Sequence, residues 1–331
     1  MKRYGFLFEG LYDYENLSRS FRQAFKGSRK KEQNSEYYFF LEPGLLQLQT
    51  KLKTGTYHPA KYRYFKIYEP KERLISVACF EDRVVHHAIV NMLEPIYEKV
   101  FIHDSYANRK NKGIHKAIGR AQRYMKRNRW FLSIDIEKYF ANINHKILME
   151  IIRKKIKDEK MVDLVEIMIK NNDISQNKED SGLPIGNLTS QFFANVYLDQ
   201  FDHFVKENLR LDYIRYMDDM VFFSDDKERL KEILELSKSY LTNNLMLTIK
   251  PRSIIINKRL HGLSFLGYRI YPGLIRIKNK NIKRMKKNIK IREYEYKNGK
   301  IDQEKLSQSV NSIIEFIKRA DSMNLRKNIF G

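Results

Sequence analysis

This sequence of 331 residues has one cysteine and no apolar run of the length that crosses a membrane. A single cysteine, Cys79, cannot form an internal disulfide framework or a cysteine-based zinc site. The first residues, Met1-Lys2-Arg3-Tyr4-Gly5-Phe6, become charged and aromatic too early for a signal peptide. We therefore expect a cytoplasmic protein without a membrane partner.

Acidic residues are outnumbered by basic ones, and long linkers are absent from the sequence. The chain has 63 Lys and Arg but only 40 Asp and Glu, which gives a formal charge of +23 and a pI near 9.7. Such an excess is typical of nucleic-acid binding through phosphate contacts. A basic membrane-surface protein is the competing interpretation, which the lack of long apolar segments disfavours. Without repeats or a long Pro/Gly/Ser linker, the chain predicts one unit of several subdomains.

Two adjacent acids lie between two short apolar and aromatic runs. Residues 211–215 and 220–224 flank Tyr216-Met217-Asp218-Asp219, a pattern that predicts a β-hairpin with Asp218 and Asp219 at its tip. Adjacent carboxylates in an apolar hairpin are costly unless cations neutralise them, and Mg²⁺ prefers such oxygen ligands. A solvated Asp-Asp turn remains the alternative at this point.

A third acid ends a predicted strand upstream. Over residues 131–136, Leu132, Ile134 and Ile136 alternate with Phe131, Ser133 and Asp135. A strand Asp and a hairpin Asp pair can hold two ions roughly 3.5–4 Å apart, the arrangement that serves in-line phosphoryl transfer. The alternative, that Asp135 caps a helix near Asn142 or Asn144, explains neither its place on the strand nor the acidic hairpin.

These motifs, in this order, resemble those of a reverse transcriptase over nearly the whole chain. Asp135 followed by Phe140 resembles the family's first palm motif, and residues 216–219 resemble its catalytic hairpin. The resemblance implies an α+β right-hand polymerase fold with fingers, antiparallel-sheet palm and helical thumb. The implied divisions are an N-terminal helical extension (1–60), fingers (61–130), palm with interleaved fingers (131–270) and thumb (271–331).

Residues 182–191, Gly-Leu-Pro-Ile-Gly-Asn-Leu-Thr-Ser-Gln, match the motif that grips template and nucleotide. Most reverse transcriptases carry Gln at the position of Ile185 and Pro at the position of Gln191. The form found here is typical of reverse transcriptases of diversity-generating retroelements, which lie in the group II intron-like lineage. Similar likenesses occur in residues 82–87, 105–109 and 265–268.

The resemblance assigns roles to individual residues. Two Mg²⁺ ions would be held by Asp135 and Asp218, with Asp219 and the Ile136 carbonyl assisting. Phe140 would exclude the 2′-hydroxyl of an rNTP, although in isolation it would be read as core. Lys250 would protonate pyrophosphate. The implied nucleotide-binding residues are Lys71, Arg73, Lys138, Tyr139, Phe140, Ile185, Gly186 and Gln191.

Several of these roles have simpler alternatives. Lys71 and Arg73 could form only a solvated basic turn. Ile185 supplies shape without a hydrogen bond, so we link it and Arg73 to misincorporation opposite template adenine; neutral drift is the alternative. A basic amphipathic helix from Lys278 is expected to bury Ile282, Met285, Ile289 and Tyr296 on one face and to follow the nucleic-acid backbone. Its proposed contacts are Lys283, Arg284, Lys286, Lys287 and Lys290.

The resemblance also implies partners: a template-repeat RNA, a DNA or RNA primer, dNTPs, and a basic, oligomeric accessory variability protein, in a bacterial or phage-encoded system. The product would be error-prone cDNA. A retron-like or phage-defence reverse transcriptase is a second hypothesis, and a catalytically idle RNA-binding protein a third. Because the sequence stops at Gly331, we expect template removal and target cleavage to come from other proteins.

Overall fold

The computed structural model describes residues 2–26, 41–68, 72–171 and 180–323, which form helices and antiparallel sheets. The chain divides into two compact units that are interleaved in sequence. The first comprises residues 1–103, 136–208 and 237–249, and the second comprises residues 104–135, 209–236 and 250–331. The assignment of fingers, palm and thumb stays a prediction. No helix in the described ranges is both long and apolar enough to span a membrane.

The first unit is mainly helical. Asp158 shows how its helices are anchored: one carboxylate oxygen accepts from the N–H of Leu7 and Phe8, and the other caps a helix through Met161 N. Such capping satisfies N–H groups that the first turn leaves unpaired. The helices are α1 (Phe8–Tyr12), α2 (Tyr14–Phe25), α3 (Leu41–Thr54), α4 (Phe80–Tyr97), α6 (Tyr139–Asn142), α7 (His145–Arg153), α8 (Glu159–Lys170) and α9 (Leu188–His203), the last followed by a π-helical turn, Phe204–Asn208.

The first unit also contains one predicted hairpin. Strands β1 (Arg63–Ile67) and β2 (Arg73–Val77) pair antiparallel, with Arg73 opposite Ile67. This confirms the hairpin expected on either side of Pro70. The turn itself, residues 69–71, and with it the candidate Lys71, lies outside the described residues.

The second unit is built on a four-stranded antiparallel sheet. Its strands are β3 (Trp130–Asp135), β4 (Asp212–Tyr216), β5 (Asp219–Ser224) and β6 (Ile255–Lys258), in the order β4-β5-β3-β6. Helix α5 (Ile114–Arg127) packs on this unit through Ile118 and Met125, which are fully buried. Helix α10 (Lys227–Leu245) begins in the second unit and ends in the first.

A smaller sheet joins the same core. It consists of β7 (Leu263–Phe265), β8 (Tyr268–Ile270) and β9 (Ile275–Ile277). The β7–β8 loop, Leu266-Gly267, has positive φ at both positions, the signature of a type I′ turn. Gly267 is required there because a Cβ would lie 2.7 Å from Asn281 Nδ2.

Two helices complete the second unit, α11 (Asn279–Lys297) and α12 (Gln303–Lys318). The expected apolar face of α11 is only partly correct. Met285 and Ile289 are buried and Ile282 packs against the core, but Tyr296 is 43% exposed. Tyr296 lies near the end of α11, beyond the part that the core covers.

Candidate active site

The acidic hairpin forms as predicted. Tyr216 pairs with Asp219, so β4 and β5 are joined by a two-residue loop, Met217-Asp218. Met217 has φ +58°, and it alone of the two loop residues has positive φ. This is the pattern of a type II′ turn, which normally has Gly at that position. The turn therefore presents Asp218 at a cost in backbone strain.

Register brings the third acid to the same end of the sheet. Asp135 is the last residue of β3 and lies directly opposite Asp219 of β5. Side chains directly opposite one another lie on one face, with Cβ atoms about 4.5–5.5 Å apart. All three carboxylates are half-buried. Helix capping by Asp135 is not needed, because Asn144 itself caps α7 through Ile147 N.

Residues 250–253 form hydrogen bonds with the backbone of Asp135. Lys250 N donates to Asp135 O at 2.9 Å, and Asp135 N donates to Ser253 Oγ at 3.0 Å. Ser253 ends a 3₁₀ turn, Pro251–Ser253. Lys250 thus contacts Asp135 through its backbone, and protonation of pyrophosphate by its side chain stays a prediction. Ser253 was not predicted, and nothing in the sequence marked it.

Buried polar residues form hydrogen bonds that stabilise the acidic hairpin. Arg215 is fully buried and donates from Nη1 to the Met217 carbonyl at 3.1 Å. Its backbone bonds to Asp104 O and Tyr106 N. Asp104 is held by Arg120 at 2.8 Å and by Tyr124 at 2.6 Å. The sequence offered one signal for this network, a charged Arg215 within an apolar strand.

A second cation lies near the acids. Lys278 precedes α11 and is half-buried. Burial lowers its pKa, and the charge of Asp219 partly offsets that effect. The sequence analysis did not select Lys278, because its proximity to Asp219 depends on non-local packing.

In the first unit, the residues after Asp135 form a tight turn. Lys138 has φ +42° and immediately precedes the short helix α6. Tyr139 is buried, and its hydroxyl donates to the Ala194 carbonyl. Phe140 is half-buried, with its ring edge-on to Tyr139. Ile136, also buried, bridges Ile249. The hydrogen bonds flanking this bridge use the carbonyl oxygens of Asp135 and Thr248, not that of Ile136.

The predicted gripping motif, residues 182–191, forms backbone hydrogen bonds with Phe140 and with strand β2. The Phe140 carbonyl accepts from Leu183 N at 2.7 Å, and the Ile185 carbonyl accepts from Ser76 N at 2.8 Å. Gly186 has φ +120°, and a Cβ there would lie 2.9 Å from the Ser76 carbonyl oxygen. Glycine is thus required both by conformation and by close approach to β2.

The remaining candidates are spread over both units. Gly186 and Gln191 line a pocket of 420 Å³ in the first unit, but Arg73, exposed at the start of β2, does not. In the second unit, the α11 cations lie along one helix; Arg284 is half-buried. The exposed members are Lys283, Lys286, Lys287 and Lys290.

Comparison with known proteins places the chain in a family. Residues 66–270, more than half of the chain, match the reverse transcriptase (RNA-dependent DNA polymerase) family. The chain belongs to the reverse transcriptase family. The predicted family is therefore confirmed, and the match includes the three acids and the 182–191 motif.

Two curated relatives show how far the similarity extends. This reverse transcriptase is 34% identical over 172 residues to the group II intron-encoded protein LtrA of Lactococcus lactis subsp. cremoris, covering 50% of this chain and 29% of LtrA. It is 26% identical over 268 residues to protein YkfC of Escherichia coli (strain K12), covering 67% of this chain and 70% of YkfC. The chain thus spans less than a third of LtrA.

Solved structures share the fold. Apo telomerase from Candida tropicalis matches with a TM-score of 0.52 at 12% identity, covering 70% of this chain and 52% of the telomerase. Telomerase from Candida albicans matches with a TM-score of 0.50 at 9% identity, covering 74% and 54%. At such low identity the likeness shows fold alone, and it confirms the predicted α+β polymerase fold.

The reverse transcriptase family implies divalent metal ions, and the acids fit them. Asp135 and Asp219 supply anionic oxygens in register, and Asp218 lies in the adjoining loop. In the described ranges, no three His, Cys, Asp or Glu side chains are grouped closely enough to hold an ion by themselves. Mg²⁺ sites in such enzymes use one or two carboxylates together with substrate phosphates and water. The donor set therefore fits ions that arrive with the nucleotide.

Proposed function

We propose that this reverse transcriptase synthesises DNA on an RNA template by nucleotidyl transfer with two Mg²⁺ ions. The observation that carries the proposal is the register of the sheet, which sets Asp135 opposite Asp219 beside the Asp218 loop. Bound there, the ions would supply activation of the attacking oxygen and neutralisation of the leaving pyrophosphate. Asp135 and Asp218 are the proposed main ligands, with Asp219 and the Ile136 carbonyl assisting.

Residues of the first unit are proposed to contact the nucleotide. Phe140 would exclude the 2′-hydroxyl, and the backbone of Lys138 and Tyr139 would donate to the triphosphate. Arg73 would stack on the base while its N–H groups reach phosphate oxygens. Its exposure at the start of β2 leaves the guanidinium accessible for this role. Lys71 is proposed as a second phosphate contact.

The basic helix α11 is proposed to bind the template–primer backbone. Its exposed lysines lie beside Ile291 and Tyr294, which together with Lys286, Lys287 and Lys290 line a surface groove. A row of cations with an exposed aromatic ring suits a phosphate backbone with adjacent bases.

We further propose that the enzyme serves a diversity-generating retroelement. Its template would be a template-repeat RNA, its product adenine-mutagenised cDNA, and its partner a basic, oligomeric accessory variability protein. The support is the Ile-Gly-Asn-Leu-Thr-Ser-Gln sequence of residues 185–191. Isoleucine at position 185 cannot hydrogen-bond to the nascent pair. Expression in the cytoplasm of a bacterium, from a chromosome or a phage, belongs to the same proposal.

Sequencing of cDNA tests both parts of the proposal. The purified enzyme, with the accessory protein present, would extend a primer on an RNA template of balanced composition with all four dNTPs. We expect cDNA whose substitutions concentrate opposite template adenine. Errors spread evenly over the four template bases would contradict the retroelement assignment and leave the polymerase intact, whereas absence of cDNA would contradict the polymerase.

A further inference from the structure

A groove on the first unit is formed by the chain just before α1, by α1 itself and by the start of α8. Its volume is 510 Å³, and all of its lining residues belong to the first unit. The apolar part of this α1–α8 groove consists of Gly5, Phe6, Phe8 and Tyr12, and the Phe8 and Tyr12 rings lie edge-on at 5.5 Å. The proposed function uses none of these residues. The charged lining residues are Glu9, Lys53, Lys157, Asp158, Glu159 and Lys160.

Phe6 lies in a segment that is fixed on both sides. Before it, Tyr4 forms a parallel bridge with Ile156, the residue that precedes the groove-lining part of the α8 segment. After it, the N–H of Leu7 donates to Asp158 Oδ2 at 2.6 Å. Phe6 therefore cannot move away from this surface unless these hydrogen bonds break.

The conformation of Phe6 is unfavourable in a single copy of the chain. Its φ is +56°, a left-handed value that is uncommon for a bulky residue, and it is 89% exposed. The backbone strain and the contact of the ring with water are both costs, and burial of the ring does not offset them here. A ring that is held rigidly and left exposed has the properties of an interface anchor that a partner buries.

The charges along the α1–α8 groove are balanced, in contrast to the whole chain. The sequence has 63 basic and 40 acidic residues, whereas three lysines and three acids line the groove. The Asp158 carboxylate accepts from backbone N–H groups; the other five side chains are exposed, and none forms an ion pair with another described residue.

This balance bears on what the groove can bind. A nucleic acid would need an excess of cations, and a strongly charged protein partner would need an excess of the opposite sign. An identical surface needs neither, because the lysines of one copy can face the acids of the other. The anchor and the groove also lie on the same patch, which is the condition for an interface with two-fold symmetry.

We propose that the α1–α8 groove is an interface with a second copy of this chain, in which Phe6 of each copy inserts into the groove of the other. A two-fold axis makes the two contacts identical. Each Phe6 ring then gains the apolar contacts that it lacks in a single copy. The inference does not depend on the proposed function.

The first test removes the anchor. Association is measured by sedimentation velocity of the full chain, freed of nucleic acid, over a series of protein concentrations. At about 0.15 M NaCl the Debye length of about 8 Å screens the repulsion between two copies of formal charge +23 but not close contacts. We expect wild type to form a dimer and Phe6→Ser to raise its dissociation constant about tenfold or more. The control is Leu260→Ser, at an apolar residue of the second unit that is 74% exposed, and it should match wild type.

The second test identifies the partner as a second copy. Glu9→Lys combined with Glu159→Lys makes the groove basic, and Lys53→Glu combined with Lys157→Glu makes it acidic. Each double variant alone should be monomeric, because like charges would face one another across the axis. An equimolar mixture of the two should dimerise, because opposite charges then meet. This expectation holds for any pairing of lysines with acids, and circular dichroism checks that both variants are folded.

Several results would overturn the proposal. These are a wild type that stays monomeric at every concentration, a dimer that Phe6→Ser leaves unchanged, and equal weakening by Phe6→Ser and Leu260→Ser, which would indicate unspecific association. A mixture of the folded double variants that stays monomeric would also exclude a second copy. RNA affinity is measured in parallel by fluorescence anisotropy. Lower RNA affinity of Phe6→Ser with unchanged sedimentation would make RNA the occupant of the groove and overturn the proposal as well.

Discussion

The proposed misincorporation opposite template adenine can be tested most directly at Ile185. Its carbonyl accepts from Ser76 N, so the backbone at this position is fixed while the side chain is half-buried. Replacing the side chain alone should therefore change its contact with the nascent base pair without moving the backbone of the loop.

Ile185→Gln should lower errors opposite template adenine, because the amide can hydrogen-bond where isoleucine cannot. A gain of ~1.4 kcal/mol in discrimination would reduce error frequency about tenfold. The measurement is cDNA sequencing on one RNA template, with the accessory protein present, and Ile167→Gln on helix α8 is the control. Equal adenine error rates in Ile185→Gln and wild type would leave Ile185 as packing only and direct attention to Arg73 and Gln191.

Phe140→Ala should admit rNTPs, because the ring proposed to meet the 2′-hydroxyl is removed. The ratio of kcat/KM for dNTP and rNTP measures this selectivity. Phe204→Ala is the control, since Phe204 is a half-buried aromatic that stacks on Tyr240. Selectivity that stays at the wild-type value in Phe140→Ala would make Phe140 a core residue instead of a gate.

At the scale of elements, the acidic hairpin has backbone strain in its loop and a buried side chain that hydrogen-bonds to that loop. Met217 adopts a left-handed conformation that costs a non-glycine residue roughly 1–3 kcal/mol, and the buried Arg215 holds its carbonyl. The strain is confined to the loop that carries Asp218, while the flanking strands are regular.

Met217→Gly should relieve this strain, although glycine gains freedom in the unfolded chain. We expect the free energy of unfolding to stay level or rise by up to about 1 kcal/mol. Met220→Gly, three residues along and fully buried, should instead lose several kcal/mol, roughly 2–5. Denaturant unfolding of the two variants checks this, and a loss for Met217→Gly comparable to that for Met220→Gly would contradict the strain assignment.

The elements differ in how far the sequence predicts them. Alternation over residues 131–136 and apolar runs around Asp218-Asp219 specify β3, β4 and β5, because strand period and turn chemistry are local. Local pattern also predicts α4 and α9. It could not place Ser253 on Asp135 or Lys278 near Asp219, because those contacts depend on which distant segments pack together.

At the scale of the whole molecule, the two compact units interleave along the chain. Charge, by contrast, can be read from composition. The net charge of +23 predicts RNA binding that weakens steeply with salt.

The proposed role of α11 predicts which lysines contribute most to this salt dependence. Replacing Lys283, Lys286, Lys287 and Lys290 with Gln should reduce the slope of log K against log [NaCl] by about three, at about 0.7 per single-strand phosphate contact. A second fourfold variant with the same charge change is the control: Lys154, Lys160, Lys227 and Lys231, all exposed. Equal slopes for the two variants would show that α11 contributes only net charge.

The central claim is metal-assisted DNA synthesis at the three acids, and Asp218→Asn tests it most directly. An amide cannot supply the anionic oxygen that Mg²⁺ needs, so Asp218→Asn should lose primer extension. The variant should nevertheless fold and bind RNA as wild type does. The control, Asp212→Asn, changes the acid at the far end of the same hairpin, beside Asn128. The decisive measurement is the rate of primer extension on an RNA template: the account predicts extension by wild type and Asp212→Asn but none by Asp218→Asn, and extension by Asp218→Asn at the wild-type rate would contradict it.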